Sequence, residues 1–228
     1  MYSNPDCYSV MKQNLITGPT NEILEHLDQA EYEAHYILIY PDIQTLREIY
    51  SRYVKGQLED NNEMVLILPY YETVDKIRKI LSEGFIDDVA AASGRGSNSI
   101  IDVRKYEKEG SLVIMDSVKA YFGSDNNHYD VNDTLLTFVK QLVRRKESFG
   151  KNGVSVISDL GSFYNNNHHS EIDKLVEYEL SLPSRYEGMK FKGFCVYHEA
   201  DFDKRFTEEQ RQKLLKHHGK KLKVAINY

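Results

Sequence analysis

The run His35-Tyr36-Ile37-Leu38-Ile39-Tyr40, stopped by Pro41-Asp42, decides the fold of this chain. Six residues without a formal charge, rich in aromatic and β-branched types, suit a strand covered on both faces. Leu46, Ile49, Tyr50, Tyr53 and Val54 follow at spacings of three and four, so one face of a helix comes next. A strand buried on both sides and then an amphipathic helix is the start of a βαβ unit, which brings a parallel sheet with it.

The same alternation continues outward. Polar residues 59–63 turn into a second strand, Met64 to Leu68, and Val74, Ile77, Ile80 and Leu81 mark the next helix. A third strand, Leu112 to Met115, ends at Asp116, and a helix from about Asn132 to Arg145 presents Leu135, Phe138, Val139, Leu142 and Val143. The fourth strand, Val154 to Ile157, stops at Ser158-Asp159. A weaker helical period through Ile172, Leu175, Val176 and Glu179 ends before Pro183. Gly193 to Tyr197 is the fifth strand. Thr207 and Gln210 form a capping-box pair, Leu214 and Leu215 supply an apolar face, Gly219 closes that helix, and Leu222 to Ile226 is a last strand. Residues 1–19 show no period and read as a flexible arm, with a short helix starting at Thr20 or Asn21 on Ile23, Leu24 and Leu27. The glycine- and serine-rich stretch Ser93 to Ser99 reads as a surface loop. The expectation is therefore an arm, 1–19, and one α/β domain, 20–228, built as three layers around a mostly parallel sheet.

Composition narrows the function. The 228 residues carry a net charge of -6, which argues against a general nucleic-acid binder. Basic clusters (Arg144, Arg145 and Lys146; Lys216, Lys220 and Lys221) fall at helix ends, where cations are solvated and suit the helix dipole. No apolar run approaches the roughly 18 residues that span a bilayer, and no signal segment opens the chain, so a cytoplasmic protein without membrane contact is expected. Cys7 and Cys195 form neither a disulfide framework nor a metal spacing. Tryptophan is absent while tyrosine occurs 17 times, a residue whose apolar ring and polar tip suit the mouth of a pocket.

The succession HYILIYP (35–41), a helix running into KGQLEDNNEMVLILP (55–69), and GSLVIMDSVKAYF (110–122) resembles the MEDS family. These are methanogen/methylotroph sensory domains, including the sensory part of the dichloromethane-responsive regulator. The family's features fall on His35 to Tyr40, Gly56 to Leu68, Gly110 to Tyr121 and Val154 to Asp159, and the resemblance runs from about His35 to the C-terminus. It implies a RecA/KaiC-like fold and a sensory role. In ATPases of that type the first strand leads into a glycine-rich loop whose backbone N–H groups and lysine hold phosphates. The equivalent junction here is Tyr40-Pro41-Asp42-Ile43-Gln44-Thr45-Leu46, with no glycine and no lysine. Only Thr45 matches the magnesium-binding hydroxyl, and Asp159 falls where the second acidic motif would end its strand. The phosphate loop is degenerate, and no ATPase is expected.

Open parallel sheets bind ligands beyond the C-terminal ends of their strands. The candidate ligand-binding residues are accordingly Asp42, Gln44, Thr45, Tyr70, Tyr71, Asp116, Asp159, His198 and Glu199. The plainer alternative is that Asp42 and Asp116 cap the helices that follow them. Other signals carry less. His168-His169 with Glu171 and Asp173 lacks a third ligand at metal spacing. His217-His218 reads as cations at a helix end, Gly94-x-Gly96 follows no strand, and Cys195 reads as a small core residue. No catalytic residue, metal or cofactor is assigned. The function expected is a non-enzymatic sensory domain that binds a small molecule or a signalling protein and acts through a partner or by self-association, since no helix-turn-helix or kinase segment is present. The rival expectation is a degenerate RecA/KaiC-like protein that still binds nucleotide.

Overall fold

The computed structural model describes residues 15–84, 100–123, 131–165 and 172–225. Among them seven strands form one sheet: β1 (Leu15–Gly18), β2 (His35–Tyr40), β3 (Met64–Leu68), β4 (Leu112–Ile114), β5 (Val154–Asp159), β6 (Phe191–His198) and β7 (Lys220–Val224). All pairs are parallel and the order is β1-β7-β2-β6-β5-β3-β4. β2 lies inside the sheet, with His35 to Tyr40 registered against Gly193 to His198 of β6, and all six of its residues are buried.

Side chains alternate along a strand, so β2 feeds two cores. Tyr36, Leu38 and Tyr40 face one layer of helices: α1 (Thr20–Asp28), α2 (Ile43–Lys55), α3 (Val74–Glu83) and α4 (Val103–Lys108). Ile37 and Ile39 face the other: α5 (Ser117–Phe122), α6 (Val131–Arg145), α7 (Gly161–Tyr164), α8 (Ile172–Ser181), α9 (Pro183–Tyr186), α10 (Glu199–Arg205) and α11 (Glu208–His217). This is the three-layer α/β architecture that the alternating pattern implies.

Where structure and sequence pattern differ, short elements and buried polar groups are responsible. Residues 15–18, read as part of the arm, form the edge strand β1 by pairing with Leu15↔Lys221 to Gly18↔Val224. That pairing is tertiary, and four residues of which only Gly18 is buried carry no period of their own. The six- and seven-residue helices α4, α5 and α10 are too short to announce themselves by periodicity. β6 extends beyond Gly193 because Lys192, which looks like a strand boundary, is buried and ion-paired to Glu63 at 2.9 Å. β7 begins at Lys220, two residues early. α11 has the expected capping box but ends on His218 as C-cap, and Gly219 is not left-handed; its N–H bonds His35 O at 2.9 Å instead. Cys7, the Ser93–Ser99 stretch with Gly94 and Gly96, His168-His169, Glu171 and Ile226 lie outside the described residues.

Candidate functional site

Because every strand points the same way, the residues that follow β2, β3, β5 and β6 reach one edge of the sheet. Asp159, the last residue of β5, is the centre of what gathers there, and only 3% of it is exposed. Tyr40, ending β2, donates its hydroxyl to Asp159 Oδ2 at 3.1 Å, and the Gly161 N–H donates to Oδ1 at 2.9 Å. Tyr70 covers Gly161 so closely that a Cβ there would lie 2.3 Å from the ring, which is why glycine opens α7. The Tyr70 and Tyr71 rings meet edge to face at 5.0 Å, and the His198 ring lies 5.6 Å from Tyr71 and 5.5 Å from Tyr40. The Tyr71 hydroxyl donates to Asp201 Oδ2 and accepts from Asn165 Nδ2 at 2.8 Å. His198 Nδ1 stands 3.8 Å from the same Asp201 oxygen. Tyr71 is 37% exposed, so this wall opens to solvent while Asp159 lies beneath it.

The two carboxyls are tuned apart. Burial pushes the Asp159 carboxyl up to about 7, and the charge of Asp201 adds to this; the bonds from Gly161 and Tyr40 offset it only in part. Partial burial would raise Asp201 as well, but hydrogen bonds from Tyr71 and Asn165, with His198 and Arg205 nearby, hold it below its ordinary value. One carboxyl is thus firmly ionised near neutrality, and the other sits at its proton balance. Burial and Asp159 together keep the Tyr40 hydroxyl protonated, as its donor role requires.

Of the residues singled out from the sequence, Tyr70, Tyr71, Asp159 and His198 join in this network. Asp42 and Asp116 take the plainer role. Asp42 Oδ1 accepts the Thr45 N–H at 2.8 Å as N-cap of α2, and Asp116 Oδ1 accepts the Lys119 N–H at 3.0 Å as N-cap of α5. Gln44 accepts from Arg47 at 3.2 Å, and Arg47 is held in turn by Glu72. Glu199 pairs with Lys223 of β7. Asn165 and Asp201 escaped sequence reading; the only trace of Asp201 is its position three residues after His198, one turn into a helix too short to show a period. A separate buried grouping of ligand-type side chains (His35, Glu179, Cys195 and His218) lies toward the start of β2.

The fold and this edge define a seven-stranded, all-parallel α/β domain in which the junction after β2 has neither glycine nor lysine, and whose α2 N-terminus is capped by its own carboxylate. The pattern of the MEthanogen/methylotroph, DcmR Sensory domain matches residues 34–218, and the chain belongs to this family of sensory domains. No curated protein matches it. Two solved structures are similar in fold. One, an ATPase domain, is 15% identical with a TM-score of 0.49, over 91% of this chain and 75% of its own. The other, a DnaB-like replicative helicase solved with its interactions with primase, is 13% identical with a TM-score of 0.51, over 87% of this chain. The match covers 48% of the helicase, so this chain spans about half of that protein's length. At such identities the likeness is one of fold alone. Among the described residues no helix is long and apolar enough to cross a membrane.

Proposed function

We propose that this chain is a non-enzymatic sensory module that binds a small uncharged or cationic molecule at its strand-end edge and signals through a partner protein. The observation that carries this reading is Asp159: a carboxyl held 3% exposed, at its proton balance near pH 7, beneath a tyrosine wall open to solvent. Desolvated carboxyls of this kind cost stability, and they concentrate at places where a ligand or a proton must be met. The tyrosine faces suit an apolar or cationic group, and ionised Asp201 repels anions. The capping of α2 by Asp42 supports the same conclusion, because Asp42 already takes the Thr45 N–H and sets a carboxylate at the helix N-terminus where a phosphate would sit.

Titration calorimetry with ATP and Mg²⁺ tests the nucleotide side of this reading. No binding at millimolar nucleotide is expected, and no phosphate release. Micromolar binding abolished by Thr45→Ala would favour a nucleotide-binding protein instead.

A further inference from the structure

Four polar side chains converge in the interior, away from the strand-end edge. His35 opens β2, Cys195 lies on the neighbouring strand β6 two residues past His35's register partner Gly193, Glu179 is on α8, and His218 caps α11. Their exposures are 5%, 5%, 0% and 1% in that order. One ligand atom from each lies within 4.8 Å of all the others. His218 Nε2 is 3.0 Å from Glu179 Oε2, and His35 Nε2 is 3.2 Å from both Glu179 Oε2 and Cys195 Sγ.

We propose that this cluster is a closed site for one divalent transition-metal ion of the Zn²⁺ type, held by two imidazoles, a thiolate and a carboxylate. The donor set selects the ion. A thiolate with two imidazoles favours Zn²⁺ and its borderline neighbours over Mg²⁺ or Ca²⁺, which take oxygen ligands. The spacing agrees. Tetrahedral bonds of about 2.0–2.3 Å place ligand atoms roughly 3.3–3.8 Å apart, inside the range found here.

The hydrogen-bond accounting points the same way. His218 Nδ1 lies 2.7 Å from the Leu214 carbonyl, which can only accept, so Nδ1 carries the proton. In the neutral ring the Nε2 lone pair then faces a carboxylate oxygen at 3.0 Å, acceptor against acceptor; only an imidazolium could donate there. His35 Nε2 can donate to one of its two neighbours and not both. A cation at the centre gives both Nε2 atoms, the Cys195 Sγ and Glu179 Oε2 a common partner, while His35 Nδ1 and Glu179 Oε1 stay buried without a hydrogen-bond partner. An imidazole whose far nitrogen donates to a backbone carbonyl is also the usual outer-shell arrangement of a metal-bound histidine, since that bond fixes the tautomer and aims the bare nitrogen at the ion. With every ligand buried and four protein donors present, the site has the closed form of a structural centre. It ties β2 and β6 to α8 and α11. Positions 35, 179, 195 and 218 share no local spacing, so no linear motif betrays them.

The test uses the full-length chain, untagged and purified without chelators. Elemental analysis should find about one equivalent of a Zn²⁺-type ion per chain. After the metal is stripped, Co²⁺ should restore the melting temperature. It should also produce the visible bands of tetrahedral cobalt and a near-ultraviolet thiolate-to-cobalt charge-transfer band. Cys195→Ser should abolish the charge-transfer band and weaken Co²⁺ binding at least tenfold, while Cys7→Ser leaves both unchanged. Glu179→Gln should weaken binding by a similar factor. Should a variant fail to fold, the stripped wild-type chain and its Co²⁺ titration decide the matter alone. A wild-type chain that carries no metal and shows neither cobalt bands nor a melting shift would overturn the proposal. A charge-transfer band that survives Cys195→Ser would do the same.

Discussion

Replacing Asp159 with asparagine separates a ligand-poised carboxyl from a merely structural one, because the two predict opposite signs at pH 8. Burial pushes this carboxyl from 3.8 up to about 7 in the folded chain. Below about pH 4 it is protonated whether the chain is folded or not, and it contributes nothing to the pH dependence. As pH rises from about 4 to about 7 the unfolded chain releases the proton and the folded chain keeps it, so stability falls; above about 7 the penalty is constant. Three decades of proton affinity at about 1.36 kcal/mol each give an upper bound of about 4 kcal/mol. Asparagine stays neutral throughout. Its oxygen can accept the Gly161 N–H, and its amide can donate to the Tyr40 hydroxyl, so both existing contacts have replacements. The variant should match wild type near pH 4 and exceed it by about 1–4 kcal/mol at pH 8, or about 2–4 °C of Tm per kcal/mol for a chain of this size. Urea unfolding of both proteins from pH 4 to pH 8.5 measures the difference directly. A variant that is less stable by about 1 kcal/mol or more at every pH would refute the reasoning and make Asp159 a structural acceptor.

Two further sets of substitutions probe the rest of the scaffold. Asp42→Ala and Asp116→Ala each remove an N-cap and should cost about 1 kcal/mol in chemical denaturation without altering what the strand-end edge binds; loss of binding in either would return that residue to the site. Lys192→Met strands the Glu63 carboxylate in the interior and should cost about 3 kcal/mol in the same assay, the lower end for a broken buried pair because Ser155 still donates to Glu63. A loss below about 1 kcal/mol would show the pair to be dispensable.

The scaffold was readable where a pattern is long or unmixed. His35 to Tyr40 announced a buried strand because all six residues are apolar or neutral, and Leu46 to Val54 a helix because its buried face repeats over two turns. The edge itself followed from topology, since a parallel sheet sends every strand end the same way. Which strand-end residues gather there did not follow. Asp42 and Asp159 look alike in sequence, each an aspartate just after an apolar run, yet one caps a helix in solvent and the other is desolvated beneath Tyr70. Only the covering side chains separate them. Asn165 and Asp201 come from helical turns too short to carry a period. His35, Glu179, Cys195 and His218 each looked ordinary alone, and only the pairing of β2 with β6 and the packing of α8 and α11 bring them together.

The central claim, that the strand-end edge holds a small molecule, is tested most directly by native mass spectrometry of the full chain purified from its own cells. The expected result is a folded ion carrying a small molecule other than a nucleotide, retained by wild type and by Asp42→Ala but lost or weakened at least tenfold in Asp159→Asn and Tyr71→Ala. A wild-type chain that carries only a nucleotide, or a bound molecule indifferent to both Asp159 and Tyr71, would contradict it.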